Sequence, residues 1–197
     1  MPEGLCRSAR IVLLLLYLAI AGVGTATAQT ITLPADPQHT SIKFTLQDVL
    51  HTIKGTFHLE HATLQFDPAT NKLDGEIIVD AKSGESGNAM RDRKMHREVL
   101  ESDRYPQIVF RPDRIDGPVS LQGRSLVQVH GTFVLHGNER EFTLPAEVDM
   151  SADHWGATVH FELPYEKWGI KNPSTLFLRV SNMVEIEIAA SGSIVRH

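Results

Sequence analysis

The side chains most able to do chemistry in this chain are its carboxylates and its ten histidines. Asp92 and His96 stand four apart, the spacing that puts a carboxylate and an imidazole on one face of a helix. Such a pair can work as a general acid–base dyad. The same spacing also serves simply to fasten a helix to its neighbour. No nucleophile signature accompanies the pair, because Gly84-Glu85-Ser86-Gly87 lacks the G-x-S-x-G spacing. His58 and His61 are an odd number of residues apart, which on a strand points the rings to opposite faces. His130 and His136, like His154 and His160, have even spacing, but six residues of strand separate the members of each pair by about 20 Å. There is no H-E-x-x-H or H-x-H pattern, and the single cysteine is Cys6, so no metal and no other cofactor is expected.

These residues belong to a chain of 197 residues with a formal net charge of −5, a balance that argues against a nucleic-acid partner gripped by a general basic surface. Arg7 and Arg10 precede the apolar run Ile11-Val12-Leu13-Leu14-Leu15-Leu16, and Ala26-Thr27-Ala28 fits a cleavage site. The run ends by Val23, short of the roughly 20 residues that span a bilayer. Residues 1–28 are therefore expected to be a cleaved export signal, and residues 29–197 a single domain with no transmembrane segment. Cys6 lies ahead of the apolar run, which is the wrong side for lipid attachment, and the exported chain has no disulfide to rely on.

Period-two alternation recurs along residues 29–197. Ile42-x-Phe44-x-Leu46, Leu73-x-Gly75-x-Ile77-x-Val79-x-Ala81 and Val127-x-Val129-x-Gly131-x-Phe133-x-Leu135 are examples. Turn residues at Asp67-Pro68-Ala69-Thr70-Asn71-Lys72, His136-Gly137-Asn138 and Ser151-Ala152-Asp153 separate the runs. About eight strands with one apolar and one charged face predict an antiparallel barrel or sandwich with water on one side only. Residues 88–103 break the alternation and read as one helix, with Asn88 as N-cap and Pro106 beyond its end. On that helix Asp92, Met95, His96 and Val99 share a face. The aromatics Phe44, Phe57, Phe66, Phe133, Phe142, Trp155 and Phe161 fall on the apolar register. Gly55, Gly75, Gly131, Ala62, Ala146 and Ala157 interrupt it with almost no side chain, which leaves room beside the rings or lets the strands coil.

Asp36-Pro37-Gln38-His39-Thr40-Ser41-Ile42-Lys43-Phe44 resembles the opening strand of the YceI family of exported bacterial lipocalin-like proteins. Gly87-Asn88-Ala89-Met90-Arg91-Asp92, Tyr105-Pro106-Gln107-Ile108-Val109-Phe110 and Gly131-Thr132-Phe133-Val134-Leu135-His136-Gly137 resemble further stretches of that family. Tyr165-Glu166-Lys167-Trp168-Gly169 through Ser174 is similar to a loop in one of its branches. Where the family commonly has His-Leu soon after Arg-Asp, this chain has Arg93-Lys94-Met95-His96. The resemblance implies an extended eight-stranded antiparallel lipocalin-like barrel with one short inserted helix. It also implies a periplasmic location and an apolar pore that holds a long isoprenoid lipid without chemistry, and it leaves a homodimer open. On that reading Phe44, Phe57, Phe66, Ile77, Val79, Phe110, Val129, Phe133, Leu144, Val148, Trp155, Val159, Phe161, Val184 and Ile186 line the pore. The rival readings are an enzyme using Asp92 and His96 on a lipid or quinone, and a filled barrel serving as a structural or stress-response module.

Overall fold

The structure, a computed structural model, describes residues 30–48, 51–174 and 179–196; the expected export signal lies outside them. The alternating runs form ten strands: β1 (Ile31–Pro34), β2 (Ser41–Asp48), β3 (Thr52–Asp67), β4 (Lys72–Glu85), β5 (Gln107–Asp116), β6 (Gly123–Leu135), β7 (Asn138–Met150), β8 (His154–Leu163), β9 (Val180–Ser193) and β10 (Val195–Arg196). Sequential strands from β2 to β9 pair as antiparallel neighbours, and β2 also pairs with β9. The sheet therefore closes into an eight-stranded barrel, which removes almost every free edge. Where β2 no longer reaches, β1 takes its place beside the far half of β3, and β10 pairs with β1.

Local chemistry fixes the turns. His136 and Gly137 have φ of 51° and 74° and form a two-residue hairpin between Leu135 and Asn138, so β6 and β7 stay in register along their whole length. Asp67 accepts from the amide of Ala69 (2.9 Å) and the hydroxyl of Thr70 (2.8 Å), which closes the β3–β4 turn. The register slips at several points among the described residues. In β3 the register slips between Leu59 and His61, so Leu59 and Ala62 both face inward although they are an odd number of residues apart. In β5 the slip falls after Pro112, at a position where a missing amide costs no ladder bond.

The interior packs most tightly at its two ends. Ile31, Phe66, Leu73, Val127, Met150 and Trp155 fill one end. Phe110, Phe133, Leu135, Phe161 and Leu163 fill the other. A smaller group of Ile42, Leu59 and Ala62 lies on the β2–β3 wall. The expected helix is shorter than its sequence run. It begins as α1 (Ala89–Lys94), continues as a π-helical turn over Met95–Val99, and ends before Glu101, whose φ is 46°.

Candidate ligand-binding interior and its helical cover

Strand register decides which side chains face the interior, because residues directly opposite one another in an antiparallel pair share a face. All fifteen residues expected to line the pore stand on the inner face. Phe44 is opposite Gly55 and Ile186, and Ile186 is opposite Phe161. Ile77 lies between Ala62 and Phe110, Val79 is opposite Leu59, and Phe110 is opposite Phe133. Phe57 is opposite Ile42 and Phe66 is opposite Leu73. Val129 faces Leu144, Val148 faces Ala157, Trp155 faces Met150, Val159 faces Ile188, and Val184 faces Leu163.

The inner residues are not equally covered. Phe66 and Trp155 at one end, and Phe110, Phe133 and Phe161 at the other, are buried. Ile77, Val79, Val129, Val159, Ile186 and Ile188 are only half-buried although they face inward. Val129 and Val159 touch both end clusters, which places them at the waist of the barrel. Ile77 and Ile188 connect the second end to the Ile42–Leu59–Ala62 group. The waist is thus lined by aliphatic residues that are less covered than those of the two packed ends.

The small residues do not create this space in the way their sequence positions suggest. A Cβ on Gly55 would overlap the Phe44 ring and the carbonyl of Glu85, and one on Gly131 would overlap the Arg111 carbonyl. Both glycines permit close approach at points where strands bulge or turn inward, so the room they leave is already occupied.

Three inward residues that β-alternation does not reveal close the second end. After β8 a 3-10 turn over Tyr165–Trp168 brings Tyr165, Trp168 and Ile170 into contact with Phe133 and Phe161. The indole of Trp168 lies edge-on to Phe133 and Phe142, with both ring centroids 5.7 Å away. The Tyr165 hydroxyl donates to the carbonyl of Ser181 (2.6 Å), and burial pushes its pKa up to about 12, with Glu166 adding to the shift. The one sequence signal for this plug was an aromatic pair followed by a glycine, and Gly169 does supply the left-handed cap.

The helical segment covers the same end. Asn88 caps α1, its Oδ1 accepting from the amides of Met90 and Arg91 at 3.1 Å. Arg91 and Asp92 both grip Ser86: Arg91 donates from Nε to the Ser86 hydroxyl (2.7 Å) and from Nη2 to its carbonyl (2.8 Å). Asp92 accepts from the Ser86 amide (2.9 Å) and hydroxyl. The imidazole of His96 donates from Nε2 to the carbonyl of Gly84 (2.8 Å), and its Nδ1 is hydrogen-bonded to the hydroxyl of Ser102 (3.1 Å). Asp92 and His96 therefore do not form the dyad that their spacing allows. Each is engaged separately in holding the segment to the end of β4. Inward from these anchors, Val99 and Leu100 pack on the Phe110–Phe133 cluster, and Met95 lies beside Phe57 next to Gly84. The Tyr105 ring contacts that of His136 in a tilted arrangement, with centroids 4.4 Å apart, and lies over Gly137, which ties the segment's far end to the β6–β7 hairpin.

The outer wall is polar. A groove of about 510 Å³ runs between Lys43, Lys54, Glu85, Glu185 and Glu187, and one of about 300 Å³ lies between His39, Arg124 and Asp149. Both carry charged side chains of either sign along their rims. The histidines are scattered over this wall: His130 contacts Asp113 (2.9 Å) and His160 contacts Glu185 (3.0 Å). Among the described residues no three metal-ligating side chains come together. Among them, too, no helix is long and apolar enough to cross a membrane.

This architecture is shared with solved structures at low identity. BcnA of Burkholderia cenocepacia matches with a TM-score of 0.68 and 16% identity, covering 80% of this chain and 99% of that one. A polyisoprenoid binding domain from Saccharophagus degradans, implicated in plant cell wall breakdown, matches with a TM-score of 0.63 and 14% identity over 83% of this chain and 97% of that one. A YCEI protein of Campylobacter jejuni matches with a TM-score of 0.55 and 16% identity over 67% and 79%. At such identities these likenesses speak to the fold. A comparison with curated protein sequences found no match. The model of the YceI-like domain, however, matches residues 34–191, which spans the barrel from β1 to β9, and on that ground the chain belongs to the YceI-like family.

Proposed function

We propose that this protein binds a long apolar lipid of the polyisoprenoid class inside the barrel and carries or stores it without transforming it, in the periplasm after export. The observation that supports the reading best is the waist, where Ile77, Val79, Val129, Val159, Ile186 and Ile188 face inward yet keep accessible surface. Covering such surface with an isoprenoid tail gains about 25 cal/mol for each Å² of apolar area withdrawn from water. The fold of a polyisoprenoid binding domain is one that this chain shares. A binding role is also favoured over an enzyme because Asp92 and His96, the one candidate acid–base pair, hold the cover in place and do not face one another. A long tail that enters at the second end passes the Met95–Val99–Leu100 cover or the Trp168 plug, one of which has to move.

The deciding experiment is mass spectrometry of organic extracts of the protein purified from the envelope of its native cell. The expected result is an isoprenoid lipid in roughly equimolar amount. Lipid-free extracts, together with no uptake of an added long-chain polyprenol, would overturn the proposal.

A further inference from the structure

The cover over the barrel end has two faces of opposite character. Its inner face carries Asp92, Met95, His96 and Val99, each engaged with β4 or the interior. Met90, Arg93 and Lys94 recur at i, i+3 and i+4 along α1 and share the opposite face. All three are exposed. Met90 is 73% exposed, among the most exposed large apolar side chains of the described residues. Arg97 of the same segment contacts Glu98 at 2.5 Å and Lys82 contacts Asp103 at 2.8 Å, while Lys94 acts on Glu98 only through its charge.

We infer that this outer face of α1 docks the barrel on an anionic lipid surface. The inference rests on the lipid-binding reading for its purpose, because an apolar tail passing from a barrel to a bilayer loses its cover unless the mouth touches the membrane. It rests on separate observations for its geometry. An exposed methionine flanked by two exposed cations suits an interface with anionic headgroups, where the thioether enters the acyl boundary and the cations meet phosphates. The remainder of the molecule carries the excess of negative charge that makes the whole chain −5. An anionic surface therefore favours contact through the outer face of α1 over contact through the barrel wall, which orients the mouth toward the membrane. The inner anchors couple the two faces: a helix held by Ser86 and Gly84 transmits displacement of its outer face to Met95, Val99 and Leu100.

The test is flotation of the purified full-length exported chain with vesicles of equimolar phosphatidylglycerol and phosphatidylcholine, against vesicles of phosphatidylcholine alone. The expected result is binding to the anionic vesicles only, weakened by added salt. The double substitution R93E/K94E is expected to reduce that binding on the order of a hundredfold. Both side chains are exposed, so the variant should keep the wild-type melting temperature and its extractable lipid. M90S is expected to weaken binding less. Absence of wild-type binding at low salt, or binding by R93E/K94E equal to wild type, would overturn the docking surface. Neither of those results bears on the extracted lipid, so failure of this inference is distinguishable from failure of the lipid-binding proposal.

Discussion

The indole Nε1 of Trp168 donates to the main-chain carbonyl of Phe133 at 3.2 Å, across 35 residues of sequence. One bond thus joins the turn after β8 to the end of β6, and the ring that makes it is 2% exposed. Replacing Trp168 with Ala removes that donor and leaves a void against Phe133 and Phe142. The expected loss is about 3–5 kcal/mol, measured by urea unfolding. Trp168→Phe keeps much of the packing and is expected to lose about 1–3 kcal/mol, chiefly from the unsatisfied carbonyl.

Filling the waist separates binding from stability. Val159 faces inward opposite Ile188 and is half-buried. Val159→Phe is expected to abolish recovery of extractable lipid while leaving the melting temperature within a few degrees of wild type. A steep fall in melting temperature would instead show that the waist is already fully packed.

A methyl group at Gly55 has nowhere to go, because the Phe44 ring and the Glu85 carbonyl lie in its place. Gly55→Ala is expected to destabilise by about 1–3 kcal/mol, read as a lowered denaturation midpoint. The equivalent change at Gly87, whose Cβ position is empty, meets only the cost of its φ of 76°.

Tyr165 makes the alkaline limb of stability predictable. Its folded pKa of about 12 lies above the ordinary value of 10.0, so the folded state favours the neutral phenol. That contribution is complete below pH 10 and is lost as the pH rises from 10 through about 12. Tyr165→Phe is expected to flatten the fall in stability over that window and to remove the latest phase of phenolate absorbance.

The barrel was legible in the sequence because alternation reports directly on a wall that is wet on one side. Phe44, Val129 and Ile186 could be assigned to the inner face from their register alone. Trp168 was not legible as an inner residue, since a 3-10 turn has neither the two-residue nor the 3.6-residue period, and its position depends on a contact with Phe133 that lies far off in sequence. Asp92 and His96 misled for a related reason. Spacing places two side chains on one face, but Ser86, Gly84 and Ser102 decide which atoms they meet.

The pairing of β2 with β9 sets Phe44 against Ile186, and that of β1 with β10 sets Ile31 against Arg196. Sealing the cylinder is therefore impossible until almost the whole polypeptide has been synthesised. Until then two unpaired strand edges stand open to other chains, which is the interval when a holding chaperone has most to protect. A chain cut short after β8 leaves an open curved sheet and not a smaller cylinder.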